Sequence, residues 1–145
     1  MSLILLQITS LIYIVLLNIF YFSKNHVSNI ENEIYKYLLS LNVIGLIIEL
    51  CCFYSVSHMD VIPAILNTLI TKSLLVYYLL FISIYTIYVF VISYKEEKED
   101  KKKMQKYYQK IKTYCLIVFA ICSVIVISLP IEYYYDGKYV YSYGA

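Results

Sequence analysis

Leu38-Leu39-Ser40-Leu41-Asn42-Val43-Ile44-Gly45-Leu46-Ile47-Ile48-Glu49-Leu50-Cys51-Cys52-Phe53-Tyr54-Ser55-Val56 is an apolar run broken by a single charge. A helix of about 20 apolar residues spans the roughly 30 Å hydrocarbon layer of a bilayer, and this run has that length. Three further stretches match or approach it, Leu3–Phe22, Leu74–Ser93 and Tyr114–Leu129. Little chain remains between them for a soluble core. The expected fold is an all-α membrane protein, one polytopic domain over 1–145, with four transmembrane helices in an antiparallel bundle and a short C-terminal extracytoplasmic β-hairpin. The expected helices cover about 3–22, 29–57, 63–94 and 112–129, and the hairpin about 131–143.

Composition agrees with this class. Apolar residues make up 61% of the 145 positions and charged ones only 15%, with three Gly and two Pro. A net charge of +2 is too small to point to nucleic acid. The N-terminal run lacks the leading Lys or Arg and the small-residue cleavage site of a secretory signal, so it reads as a retained first helix.

Lysine placement orients the chain. Eight Lys fall between Tyr94 and Lys112, and Lys24 and Lys36 fall between the first two helices. The turn near residue 60 has none and the tail only Lys138. Cytoplasmic loops concentrate Lys, which predicts that the Lys-rich 95–112 segment is cytoplasmic. The N-terminus, the 57–62 turn and residue 145 are then outside.

Local signals sharpen the boundaries. Ser28-Asn29-Ile30-Glu31 has the form of a capping box opening helix 2, which continues through Ile34, Leu38 and Leu41. Asp60 before Pro63 suits the start of helix 3, because Pro is tolerated in a first turn. Glu97–Lys101 and Glu99–Lys103 are spaced i,i+4, as in a solvated helical linker. In the tail, Asp136-Gly137 between two Tyr-rich runs predicts a type I′ turn that pairs Tyr135 with Lys138, Tyr134 with Tyr139 and Tyr133 with Val140.

Polar residues form stripes at helical spacing: Gln7, Ser10, Asn18 and Tyr21 on helix 1, Asn42, Gly45, Glu49 and Cys52 on helix 2, Thr68, Lys72, Ser83 and Thr86 on helix 3. Small and polar side chains mark helix contacts in membranes, where they allow close approach and interhelical hydrogen bonds. Gln7, Asn18, Asn42 and Thr68 are thus candidates for a polar bundle face. Glu49 and Lys72 come out nearly level when counted from the turn between their helices, and are expected to form a buried ion pair with Asn42 or Thr68 nearby. A lone carboxylate at that depth costs about 2.5–3.5 kcal/mol on insertion scales, so it needs a partner, water or a use. Cys51, Cys52, Cys115 and Cys122, with the isolated His26 and His58, match no metal-ligand spacing. No metal, cofactor, nucleophile–base pair or other catalytic set is expected, so the residues present do not read as an enzyme.

The run from Asn32 to Leu50 and the tail Tyr139-Val140-Tyr141-Ser142-Tyr143-Gly144 resemble the multi-helix N-terminal sensor region of sensor histidine kinases from low-GC Gram-positive bacteria. The absence of Arg and the abundance of Ile, Tyr, Asn and Lys fit an AT-rich genome. The resemblance implies a sensory input region in a bacterial cytoplasmic membrane, part of a longer chain that forms homodimers through its output region. An external C-terminus would require an odd number of further helices before a cytoplasmic kinase module. The alternative is a small four-helix membrane protein acting as a transporter component or accessory subunit.

Overall fold

The computed structural model describes residues 2–24, 29–58, 61–97, 101–135 and 140–143. Four helices follow one another: α1 (Ser2–Phe22), α2 (Ile30–Ser57), α3 (Ala64–Glu97) and α4 (Lys101–Ser128). All four are long and apolar enough to cross a membrane. The chain is therefore a multi-pass membrane protein whose helices pack together and meet the lipid bilayer along their sides.

Each helix packs antiparallel on its neighbour in sequence, and the α2–α3 and α3–α4 contacts are the broadest. Among the described residues, α1 forms no comparable contact with α3 or α4, nor does α2 with α4. The four helices thus lie in an open row with α2 and α3 at its centre. This geometry leaves large apolar side chains uncovered on every helix, from Leu5 and Ile12 on α1 to Val124 and Ile127 on α4. In water that surface would be untenable; against lipid tails it costs little, because lipid is as apolar as Leu.

The helix boundaries have local causes. The N-cap of α2 is Asn29, in extended conformation, and its carbonyl accepts the Glu33 amide at 3.1 Å. Asn29 makes no side-chain cap, and Ser28, the proposed first member of the capping box, lies outside the described residues. The cap is therefore one residue later than the Ser-x-x-Glu spacing implied. At α3, the Pro63 carbonyl accepts the amides of Leu66 and Asn67 at 3.0 and 3.1 Å, so Pro63 sits just before the first helical residue.

The Lys-rich segment departs most from expectation. Instead of one solvated helix across 95–103, α3 runs to Glu97 and α4 already begins at Lys101, eleven residues before the expected 112. Glu97 and Lys101 therefore belong to different helices and not to one i,i+4 pair. The reversal is fixed by apolar contacts on both sides of it. Tyr94 stacks on Tyr107 with centroids 4.0 Å apart and rings 17° from parallel. Val91, fully buried, forms a core with Ile34 and Leu38 of α2, against which Met104 and Tyr108 of α4 also pack. A continuous helix would have carried Met104 and Tyr108 away from that core.

After α4, Glu132–Tyr135 (β1) and Val140–Tyr143 (β2) pair antiparallel, with Tyr135 opposite Val140, Tyr134 opposite Tyr141 and Tyr133 opposite Ser142. This register differs from the expected one: the partner of Tyr135 is Val140, not Lys138, so four residues separate the strands instead of two. Asp136 and Gly137, assigned to the turn, lie outside the described residues.

Candidate functional site

The α2–α3 seam changes character along its length. Toward the short connection between the two helices it is polar. Ser55 Oγ donates to Asn67 Oδ1 at 2.9 Å, and both residues are fully buried. One turn further in, Cys52 Sγ and Thr71 Oγ1 are 3.7 Å apart. Next, the phenol of Tyr77 fills the space that a side chain at Gly45 would occupy. Beyond that contact the seam is the apolar Ile34–Leu38–Val91 core.

α1 is attached to the other side of α2. Asn18 Nδ2 donates both to its own Ile14 carbonyl at 2.9 Å and across to the Leu39 carbonyl at 3.3 Å. The Tyr21 hydroxyl reaches the Asn32 carbonyl at 3.5 Å, and its ring packs on Tyr35 at 4.9 Å.

These pairings set the relative depth of everything else. At about 1.5 Å per residue, Glu49 comes level with Ser73 and Leu74 of α3 and with Gln7 of α1. At about 100° per residue, Asn42 and Glu49 lie between the side of α2 that meets α1 (Tyr35, Leu39) and the side that meets α3 (Leu38, Gly45, Cys52). The Glu49 carboxylate is half-buried and close enough to the phenols of Tyr77 and Tyr78 for its charge to act on both. Among the described residues it makes no hydrogen bond or ion pair. Three buried polar atoms among the described residues also lack a partner: Gln7 Oε1, Asn67 Nδ2 and Ser123 Oγ.

Lys72 does not join Glu49. Its ammonium donates a short hydrogen bond to the Ile127 carbonyl in the last turn of α4. The expectation of equal depth fits the register of the two helices, but the expected ion pair is not among the described contacts. The reason is rotation. Thr71, which meets α2, and Lys72 are successive residues about 100° apart around α3, so Lys72 turns toward α4. Thr68 goes with it, bonding its own Ala64 carbonyl at 2.9 Å and lining the same α3–α4 groove. Asn42 is half-buried and makes no described hydrogen bond, whereas Asn18 does bridge two helices.

The Ser55–Asn67 and Cys52–Thr71 contacts escaped the sequence reading, although a signal was present. Cys52 and Ser55 are three residues apart and Asn67 and Thr71 four, and the two sets are nearly equidistant from the turn between their helices. The Thr68–Lys72 pair, one residue further round the same helix, has the same spacing and is more polar, so spacing alone does not choose between the two pairs.

No described group of His, Cys, Asp or Glu side chains could hold a metal ion. The four cysteines are free thiols, with only Cys52 buried. His58 Nδ1 lies 3.0 Å from the Tyr54 carbonyl and the ring stacks on Tyr54 at 4.3 Å, a helix-end contact. His26 and Asp60 are outside the described residues. No family model, curated protein or solved structure matches this chain.

Proposed function

We propose that this chain is the membrane-embedded input region of a bacterial signal-transduction receptor of the histidine kinase type. The observation that supports it most is the asymmetry of the α2–α3 seam: an apolar core at the Lys-rich end and incompletely satisfied polar contacts at the other. Buried polar atoms without partners cost free energy that a different packing could recover. Such an interface has the low local stability from which switching elements are drawn. The polar end faces outward in the orientation that the lysines favour, with the N-terminus, the 57–62 turn and the β1–β2 ribbon outside and residues 95–112 in the cytoplasm. A stimulus acting outside would repack this end about the apolar core, and the Lys-rich end would pass the change inward. Homodimer formation belongs to the output region that this reading requires.

The second reading is a four-helix accessory subunit or transporter component. It draws on the open row of helices, whose uncovered faces would suit a partner membrane protein.

The coding sequence beyond codon 145 separates the two. The receptor reading expects an odd number of further spans followed by a phosphoacceptor helix and an ATP-binding module; a stop codon at 146 would leave the accessory reading. Orientation is checked in a cysteine-free background in intact cells. Cysteine at Lys102 should be shielded from an impermeant thiol reagent and cysteine at Lys138 should react; the reverse pattern would reject the orientation.

A further inference from the structure

Glu49 carries a negative charge into the bilayer wherever the boundaries of α2 fall. A span needs about 20 residues, and no stretch of that length within α2 leaves out Glu49 without taking in Glu31, Glu33 and Lys36. The described helices do not supply a balancing cation. α1 has no charged side chain, α3 has none between Lys72 and Lys95, and Lys72 is bonded to the Ile127 carbonyl of α4. Among the described residues Glu49 has neither an ion pair nor a hydrogen bond. An ionisable group held in a membrane without a partner in the protein calls for one from outside it.

The surroundings of Glu49 are built for more than a charge. α1 and α3 meet α2 on sides roughly 100° apart, with Glu49 between them, and make no comparable contact with each other. The crevice they form is open to the bilayer, and its walls carry acceptors. Counting back from Asn18 and forward from its partner Leu39 brings Gln7 level with Leu50, on the same side of α1 as Asn18. Gln7 Oε1 is buried and accepts no described hydrogen bond. From α3, the Tyr77 phenol sits against Gly45, one turn of α2 from Glu49. A groove of about 560 Å³ adjoins these groups between α1 and α2, with Leu6, Ser10, Tyr13, Ile14 and Leu46 among its walls. Leu46 is one turn from Glu49, and Ser10 is one turn from Gln7. Thr9 and Ser10 spend their hydroxyl protons on the carbonyls of Leu5 and Leu6, so the groove offers mainly apolar surface. It opens sideways: Leu6 is 65% exposed and Tyr13 66%.

These unmet needs define the ligand. A carboxylate asks for positive charge, an unpartnered amide oxygen for an N–H, and the groove for an apolar body. A primary ammonium has the charge and three N–H donors. We propose that Glu49 binds the head of a lipophilic primary ammonium, with a second N–H on the Gln7 amide oxygen and the apolar tail in the α1–α2 groove. A bare metal ion would use the carboxylate but leave the groove empty. The proposal needs only the packing of α1, α2 and α3 and holds for either functional reading above.

Because the chain has no Trp, a single introduced one reports on its own surroundings. The Tyr13→Trp protein, in micelles of a neutral detergent at neutral pH, is titrated with ω-bromodecylamine and with ω-bromodecanol, whose bromine quenches Trp. Half-quenching should need about tenfold less amine than alcohol, the fold-change of one hydrogen bond to a charged group. Val124→Trp, on the exposed side of α4, reports partition into the micelle alone and should show no such preference. Glu49→Gln in the Tyr13→Trp protein should abolish the preference while leaving bromodecanol quenching unchanged, which also shows that the groove has kept its shape. Lys72→Gln should leave the preference intact. Equal quenching by amine and alcohol, or a preference that survives Glu49→Gln, would overturn the proposal. So would a trimethylammonium analogue that quenches as well as the amine, since it keeps the charge without an N–H donor. Loss of the preference in sodium chloride but not in choline chloride of equal concentration would overturn it too, because the occupant would then be an inorganic cation.

Discussion

The two ends of the α2–α3 seam join the same pair of helices by different physics. At the Lys-rich end, Val91 is fully buried against Ile34 and Leu38, with Phe81, Ile84 and Tyr88 around them. At the other end, Ser55 and Asn67 are just as buried but are held by one hydrogen bond, accepted by the Asn67 carbonyl oxygen, and neither hydrogen of the Asn67 amide group is used. Between them Gly45 lets the Tyr77 ring into the seam. In water the apolar end would dominate through the hydrophobic effect. In a membrane that driving force is missing, and packing fit and interhelical hydrogen bonds decide association. The ends should therefore differ less in strength than in kind, one sensitive to shape and the other to the loss of single polar atoms.

That comparison can be broken by substitution, with stability read from helix content during transfer from mild detergent to sodium dodecyl sulfate. The largest effect is expected at the boundary. Gly45→Val would drive two methyl groups into the Tyr77 ring and should cost about 3 kcal/mol, the upper end of overpacking costs. Tyr77→Ala in the same chain should return much of this; if it returns none, the tight contact is not what Gly45 provides. At the apolar end, Leu38→Ala should cost about 2 kcal/mol, at the low end of large-to-small replacements because lipid can follow the cavity. A cost near zero would show that the core is not packed as described.

At the polar end the effects are smaller. A double-mutant cycle on Ser55→Ala and Asn67→Ala should give a coupling of about 0.6 kcal/mol, the average for hydrogen bonds between membrane helices. The smallest expected coupling lies between Glu49→Gln and Lys72→Gln, within about 0.5 kcal/mol of zero, since Lys72 bonds α4 and the two residues share no described partner. A coupling above about 2 kcal/mol would restore the ion pair and reverse the assignment of Lys72 to α4.

Four spans, their order and the reversal near residue 60 were legible in the chain. The bilayer demands a minimum apolar length, and Leu3–Phe22, Leu38–Val56, Leu74–Ser93 and Tyr114–Leu129 each approach or meet it. The near-equal level of Glu49 and Lys72 along their helices follows from the chain too, because rise per residue is constant. The early start of α4 does not. Charge spacing across 95–103 is compatible with a helix wherever it begins, and only the packing of Val91 against Met104 and Tyr108 places the reversal between Glu97 and Lys101.

The polar contacts divide the same way. The linear pattern determines that Asn67, Thr68, Thr71 and Lys72 lie within about one and a half turns of one another, and that some of them must face a neighbouring helix. It does not determine which, because an error of one residue turns a side chain by about 100° and changes the neighbour it meets. The tertiary structure makes that choice through groups far away in sequence. Tyr77 seats against Gly45 and Asn67 bonds Ser55, which rotates α3 so that Lys72 reaches the last turn of α4. Glu49 is left beside two tyrosines, because the rotation that satisfies the seam carries the Lys72 ammonium away from it.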